Sequence, residues 1–553
     1  MLDWTRPGTA GEFAARLWRK DPTLWSEDPA HRKVAANRLG WLDLPRTMRG
    51  EVEGVRRFAA EVAAEGFTHV VLLGMGGSSL APEVMRRMLG VRPGFLELTV
   101  LDDTSPAAVR AVAAAHDPRR TLFLVSSKSG GTIEVASFEK HFFEWARSTR
   151  GDGASRAFAA ITDPGTALAR LAAERGYRHV FTNPPDVGGR NSALSLFGLV
   201  PAALIGADPA MLLDGGAREL DEGRADRAGG PGVALGLWMG QQAARGADKL
   251  TLAFGPIWAP FGCWVEQLVA ESTGKDGRGI LPVDEEPLRE DALAAPDRVF
   301  AVTTDLPVEL GRRIAHSERP AWLLDLAVPG DLGAAFMRWE IATATAAAVL
   351  GVDPFDEPNV SEAKQATQAV LERALAEGRF PEETPRLEAD GCRLFAPGLA
   401  GVAMRGGGAR DAAGALAALF ALARPGDYLA ILAYLHRTPA VHERLQRLRA
   451  ATAAITPAAT TLGYGPRFLH STGQLHKGGP DTGLFLQLTA DEGPDEVIPG
   501  ERYGFETLRR AQAAGDYEVL ARRKRRLVRV HLGTGVERGL DVLAAGLERL
   551  ARR

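Results

Sequence analysis

An α/β protein built on doubly wound parallel sheets is the fold class this 553-residue sequence predicts. Short apolar runs alternate with longer helical stretches of mixed polarity, the rhythm of buried strands joined by crossover helices. Twice near the start, an apolar run ends in a cluster of glycine, serine and threonine that opens directly into a helix. The composition, 45% hydrophobic and 24% charged, is that of globular material long enough for several cores.

The elements follow in order. Residues 1–50 read as an N-terminal helical arm with no apolar segment of signal-peptide type. A first α/β domain, 51–225, carries strands at "HVVLLG" (69–74), "LELTVLD" (96–102), "TLFLVSS" (121–127) and "AFAAIT" (157–162). The helices "APEVMRRML" and "TIEVASFEKHFFEWA" separate them. The polar, glycine-rich 214–232 reads as a boundary. A second domain, 226–375, places strands at "KLTLAFG", "RVFAVTT" and "AWLLDLAV" (321–328), ending in a helix that begins near Val360. The remainder, 376–553, has strands expected at "YLAILAYL", "ATTLGYG" and "GLFLQLT" and reads as an α/β portion that completes the second domain.

Charge and cysteine content exclude several classes. Lys plus Arg number 66 against 69 Asp plus Glu, a formal charge of -3, so no broad basic field for nucleic acid exists. No apolar run approaches the roughly 18 residues of a spanning helix, so no membrane partner is expected. Cys263 and Cys392 stand alone, which argues against disulfide and zinc frameworks and fits a reducing cytoplasm.

The chemistry lies at the strand-to-helix junctions. Glycines after a strand allow close backbone approach, and the helix start offers N–H groups to an anion. The turn Gly74–Ser79 therefore suits phosphate, with Gly77 and Ser78 as contacts, although packing alone also selects glycine at such turns. A dinucleotide site, with Asp102 or Asp103 on a ribose, is the competing reading; Ser79 at the third glycine position speaks against it. The next junction repeats the theme with Ser127, Lys128, Ser129 and Thr132, more donors than helix capping requires.

These two loops resemble the sugar isomerase (SIS) fold, and further motifs narrow the resemblance to the phosphoglucose isomerase family. "GMGGSS", "SKSGGT", "GGRNSALSLFGLVPAAL" from Gly188, "QLVAESTGK" from Gln267 and "FDEPNVSEAK" from Phe355 stand in that family's order over roughly residues 65–370. The nearest likeness is to the isomerase part of bacterial transaldolase–phosphoglucose isomerase fusions. The resemblance implies two SIS-type domains and interconversion of glucose 6-phosphate and fructose 6-phosphate through ring opening and an enediolate. It implies a small sugar phosphate as partner and requires no metal or redox cofactor. A non-catalytic phosphosugar-binding SIS regulator is the alternative; it would need the serine loops but not the acid–base residues.

The implied roles fall on particular residues. Glu271, on an apolar helix, is the expected base, its pKa raised by burial; a surface pair with Lys275 is the plain alternative. Arg190 is expected to stabilise the oxyanion, with a structural carboxylate pair as its alternative. Gln267, one turn before Glu271 on the same helix face, is expected to orient substrate or carboxylate. Lys364 matches the family's lysine near the sugar and is equally able to be a solvated helix charge. Glu357 and Asn359 replace the family's glutamine and glycine, which puts Glu357 in doubt as a contact. Trp258 and Trp264 read as core. The family's ring-opening histidine is missing between the Gln267 and Phe355 motifs, and "FLHSTGQLHKGG" supplies a likeness far downstream. His470 is therefore the expected ring-opening group, delivered by a C-terminal portion that completes the second sheet. Either His470 caps its helix or His476 and Lys477 form a separate anion site if that expectation fails. Relatives take this histidine from a second subunit, which leaves a homodimer open.

Overall fold

The computed structural model describes residues 2–4, 6, 8–326, 330–381 and 383–552. Three sheets organise the chain. The first holds β1 (His69–Gly74), β2 (Glu97–Leu101), β3 (Thr121–Ser126), β4 (Phe158–Thr162) and β5 (His179–Thr182) in the order β2-β1-β3-β4-β5, all parallel. Both faces of β1 and β3 are buried by helices, which is why their sequences are continuously apolar rather than alternating. The chain turns to one side of β1 and then crosses back to pair β3. That topological switch puts both glycine–serine loops at the same carboxyl edge, where open α/β sheets bind ligands.

The second sheet contains β6 (Lys249–Ala253), β7 (Leu281–Val283), β8 (Arg298–Thr303) and β9 (Ala321–Leu324) in the order β7-β6-β8-β9. Of the expected strand at 321–328, residues 327 and 328 lie outside the described residues. The helices Gly230–Ala244 and Leu332–Leu350 pack closely: a Cβ on Gly236 would stand 2.3 Å from the Ala342 carbonyl oxygen. One continuous apolar core serves both sheets, with Val70 and Phe123 from the first, Leu250 from the second, and Trp258 and Trp264 from the turn and helix that follow β6.

The expected boundary at 214–232 is corrected. Residues up to Ala225 belong to the helix Pro209–Ala225, and the chain breaks only at 226–229. Its glycines serve packing rather than flexibility, since a Cβ on Gly215 would meet the Ala334 backbone nitrogen at 2.9 Å. Glu219 is buried there on Arg338 at 2.7 Å.

The third sheet contains β10 (Leu387–Ala389), β11 (Cys392–Phe395), β12 (Tyr428–Tyr434), β13 (Ala459–Tyr464), β14 (Gly483–Thr489) and β15 (Arg526–His531). Its order is β10-β11-β15-β14-β12-β13, with β10 and β11 antiparallel. The expectation that this portion completes the second domain's sheet is therefore corrected: none of these strands pairs with β6–β9. The two are joined by packing instead. Leu281 and Val283 of β7 share an apolar cluster with Tyr428, Ala459 and Phe468. The Arg449 guanidinium donates to the carbonyls of Asp284 (2.9 Å) and Glu285 (3.0 Å), fixing the loop after β7.

No helix among the described residues is long and apolar enough to cross a membrane.

Candidate active site

The carboxyl edge of the first sheet opens into a cavity of about 300 Å³. The turns Gly76–Ser78 and Gly189–Asn191 face one another at its floor, and a Cβ on Gly77 would stand 2.0 Å from the Gly189 carbonyl oxygen. Glycine at 77 is thus required by the approach that brings Arg190 over the phosphate-type turn. Gly76 has φ +54, and a Cβ there would crowd the Gln267 amide and the His470 carbonyl.

Arg190 is 5% exposed and central. Its Nη1 lies 3.4 Å from Glu271 Oε1, and its Nη2 donates to Glu357 Oε2 at 2.8 Å and to the Asp356 carbonyl at 3.0 Å. The carboxylate pairing weighed against a catalytic role is real, but both carboxylates also line the cavity. Burial alone would pull the Arg190 pKa down; Glu271 and then Glu357 reverse that and raise it. Lys275 does not pair with Glu271: its ammonium sits on Asp356 Oδ1 at 2.6 Å and on the Asp353 carbonyl. That frees Glu271 to face the cavity, held by Gln267 Nε2 at 3.1 Å, one helical turn away on the helix Gly262–Thr273. Burial raises the Glu271 pKa; Arg190 opposes the rise and the nearby Glu357 carboxylate adds to it.

His470 reaches the same cavity from the short helix Arg467–His470, and its carbonyl accepts from Gln267 Nε2 at 2.7 Å. Its ring Nε2 lies 2.9 Å from Glu134 Oε1. Glu134 is buried, which would raise its pKa, but the His470 charge and hydrogen bond hold it below the ordinary carboxylate range. Gln512 Nε2 donates to the same Oε1 at 2.8 Å, and the Thr104 hydroxyl donates to Gln512 Oε1 at 2.8 Å. The threonine fixes which end of the amide faces Glu134, so a buried chain of polar groups runs Thr104, Gln512, Glu134, His470. The helix-capping alternative for His470 does not describe this geometry. His476 and Lys477 form no separate anion site: His476 is buried on the Tyr428 hydroxyl (2.9 Å) and Lys477 on Asp516 (2.6 Å). Burial drives the His476 pKa down, keeping it neutral.

Ser78, Lys128, Ser129 and Thr132 line the opposite end, with Gly77 beneath them. Thr132 is the N-cap residue of the helix Ile133–Arg150, yet no side chain caps that helix, which leaves its first N–H groups to an anion. Ser127, also expected as a contact, is not among the residues that line this cavity; its hydroxyl donates to Thr132 Oγ1 at 3.2 Å, so it stands behind a lining residue. The Lys128 ammonium is ion-paired with Asp163 and donates to the Pro185 carbonyl at 3.2 Å, so part of its charge is already answered. Lys364, on the helix Pro358–Glu377, lines the outer rim and is exposed, so both of its readings meet there. Glu357 returns as a cavity residue, whereas Asn359 does not reach it. Asn359 instead pairs with Gln474, through N to Oε1 at 2.9 Å and Oδ1 to Nε2 at 2.8 Å, locking this helix to the His470 segment.

Glu134, Gln512, Arg38 and Asp163 were not singled out from sequence, and Arg38 reaches the cavity from the N-terminal arm. Asp102 carries no ribose-type role; it is buried on Ser79 Oγ (3.1 Å) and Arg467 (3.4 Å). The histidine spacing gave no metal signal, but the fold brings His31, Asp353 and Asp356 close enough to share an ion. Lys275 already supplies a cation to Asp356 in that group.

The fold is a doubly wound α/β architecture that two solved structures share. A solved structure of a hypothetical protein from Thermus thermophilus aligns with TM-score 0.56 at 24% identity, covering 65% of this chain and 94% of that one. A glucose-6-phosphate isomerase from Chlamydia trachomatis aligns with TM-score 0.51 at 19% identity, covering 67% and 79%. By sequence, the phosphoglucose isomerase family model matches residues 47–278. The glucose-6-phosphate isomerase of Rubrobacter xylanophilus is 29% identical over 416 residues, 66% of this chain and 93% of the relative. A glucose-6-phosphate isomerase of Thermus thermophilus is 36% identical over 220 residues, 38% of this chain and 50% of the relative. The chain is thus a homologue of the glucose-6-phosphate isomerases.

Proposed function

We propose that the protein is an aldose–ketose isomerase interconverting glucose 6-phosphate and fructose 6-phosphate. The observation that carries this reading is the meeting of a buried carboxylate of raised pKa (Glu271), a buried guanidinium (Arg190) and a carboxylate-paired histidine (His470) in one cavity with a hydroxyl-rich helix start. A regulator that only bound the phosphosugar would need the helix start alone.

In this account the phosphate is held by Ser78, Ser129, Thr132 and the first N–H groups of the helix Ile133–Arg150. His470, poised by Glu134, passes a proton to the ring oxygen and accepts one from the anomeric hydroxyl, opening the ring. Glu271 then removes the proton from C2 of the open aldose and returns it to C1, while the hydroxyl proton moves from O2 to O1. Arg190 stabilises the negative charge on the enediolate oxygens. Product and substrate have the same formula, so atoms and electrons balance within the sugar. Gln267 keeps the Glu271 carboxylate aimed, and Lys364 closes the outer rim.

Because His470 and Glu271 line one cavity of one chain, the proposal includes that the histidine acts in cis, whatever the oligomeric state. The displaced His470 element also supports the proposed kinship with the isomerase part of transaldolase–phosphoglucose isomerase fusions. Two free cysteines fit a cytoplasmic setting. The test is a coupled assay with fructose 6-phosphate, run on wild type and on a mixture of Glu271→Gln and His470→Ala proteins. Turnover by wild type is expected, with no recovery in the mixture; recovery would overturn the cis assignment, and an inactive wild type the function.

A further inference from the structure

A second cavity lies at the corresponding edge of the third sheet. There the chain runs from β12 to β13 on one side and crosses back to β14 on the other, which creates a topological switch at the carboxyl ends of β12 and β14. Tyr434 ends β12, Thr489 ends β14 and His531 ends β15, and all three line a cavity of about 280 Å³. It is close in size to the isomerase cavity, and the proposed reaction makes no use of it.

Its charge is uneven once the carboxylates are assigned. Glu383 pairs with Arg529 Nη1 at 3.2 Å and Glu518 with Arg373 at 2.6 Å, whereas Asp491 meets His531 at 3.2 Å, an imidazole whose pKa burial lowers, so Asp491 keeps its negative charge. Arg509 is taken by Glu506 at 2.8 Å and Glu492 at 3.2 Å. Arg393 and Arg510 also line the cavity and have no ion pair among the described residues. The Arg510 guanidinium lies 4.4 Å from the Phe380 ring centre, and that of Arg529 lies 3.8 Å from that of Tyr517. A guanidinium stacked on an aromatic face keeps its N–H edge for a carboxylate or phosphate, while Phe380 and Phe395 offer an apolar wall.

The cavity is also wired to the active site. Arg509, Arg510 and Ala513 of the helix Phe505–Arg522 form one wall, and Gln512 of that same helix holds Glu134. The Tyr434 hydroxyl, on another wall, donates to the Gln512 carbonyl at 3.4 Å. We propose that this cavity binds a small organic anion bearing an apolar or aromatic group, and that its occupancy adjusts turnover through Gln512 and Glu134. The binding half stands apart from the isomerase reading; the turnover half rests on it.

The test uses the full chain and phenyl phosphate as the probe. Calorimetric titration is run with the isomerase cavity saturated by 6-phosphogluconate, a six-carbon acid phosphate of substrate length. One equivalent of phenyl phosphate is expected to bind the wild type under these conditions. Arg393→Ala with Arg510→Ala is expected to weaken it at least tenfold while leaving the isomerase rate without probe unchanged. In kinetics at saturating sugar phosphate, phenyl phosphate is expected to change the wild-type kcat at least twofold and to lose that effect in the double variant. Absence of the extra equivalent, or binding untouched by the arginine changes, overturns the site. Binding with an unaltered kcat overturns the coupling. An inactive wild type that still binds the probe would count against the isomerase reading and leave the site standing.

Discussion

Gln512→Leu removes the amide that fixes Glu134 and nothing that touches the cavity. The side chain it replaces makes two buried contacts, a donor bond of 2.8 Å to Glu134 Oε1 and an acceptor bond of 2.8 Å from Thr104. The first serves a carboxylate held in its charged form, so its loss is of the size of a hydrogen bond to an ion, about 1.5–3 kcal/mol. At 1.4 kcal/mol per decade, that is roughly a 10- to 150-fold effect if it falls on the step Glu134 supports. In the proposed mechanism that step is ring opening by His470. The kcat for cyclic fructose 6-phosphate should therefore fall at least about tenfold. With 5-deoxyfructose 6-phosphate, which lacks the hydroxyl that closes the ring, kcat should change by less than about twofold. The melting temperature should drop by roughly 1–3 °C, since the leucine leaves Thr104 and Glu134 each short of a partner, and at about 2.1 cal/mol/K of unfolding entropy per residue a chain of this size shifts about 1 °C per kcal/mol. Gln512→Asn, shorter but still an amide, should recover part of the cyclic rate. A lower melting temperature with both substrates turned over at wild-type rates would refute the reasoning, because the amide would then be structural only.

Thr132→Ala should weaken sugar phosphate binding by about 1.5–3 kcal/mol, whereas Ser127→Ala, one residue behind the lining, should cost at most about a tenth of that effect on KM; equal losses would make Ser127 a direct contact. Glu271 must be ionised to accept a proton, so kcat/KM should fall as pH drops through a pKa above the ordinary glutamate range. Glu357 is one cause of that raised pKa, and Glu357→Gln should move the acid limb of the pH profile to lower pH; a shift upward would contradict the assignment. Gly77→Ala forces a Cβ to 2.0 Å from the Gly189 carbonyl oxygen, so it should displace Arg190 and destabilise the chain by about 1–3 kcal/mol, read by denaturant titration alongside activity; a folded variant of full activity would show that the two turns can separate.

What could be read in the sequence was the chemistry written locally. Gln267 and Glu271 meet because they are one helical turn apart, and Gly77, Ser78, Ser129 and Thr132 sit at strand ends where the loop itself announces an anion. The strands β1, β3, β12 and β14 were legible because burial on both faces leaves them continuously apolar. β15 hid behind the basic run at 522–526; its Arg526 is neutralised by Asp427, 99 residues away in the chain. β7 is three residues long and β5 is half exposed, so neither carries a period. The site partners that went unnoticed are long-range: Glu134 meets His470 across 336 residues and Gln512 across 378. No spacing rule reaches that far. The Ser127 hydroxyl bonds Thr132 rather than facing the cavity directly, a direction set by its neighbour and not by its place in a motif. The third sheet's independence was likewise invisible, since packing of β7 against the Tyr428–Phe468 cluster joins the two portions without strand pairing.

The central claim is that Glu271 carries the proton between C2 and C1, and isotope exchange tests it most directly. Fructose 6-phosphate incubated with the protein in D2O should yield glucose 6-phosphate bearing deuterium at C2, followed by NMR. With Glu271→Gln, both isomerisation and deuterium incorporation should drop by several orders of magnitude while 6-phosphogluconate still binds with nearly wild-type affinity. Deuterium incorporation by the Glu271→Gln protein at a rate within about tenfold of wild type would contradict the account.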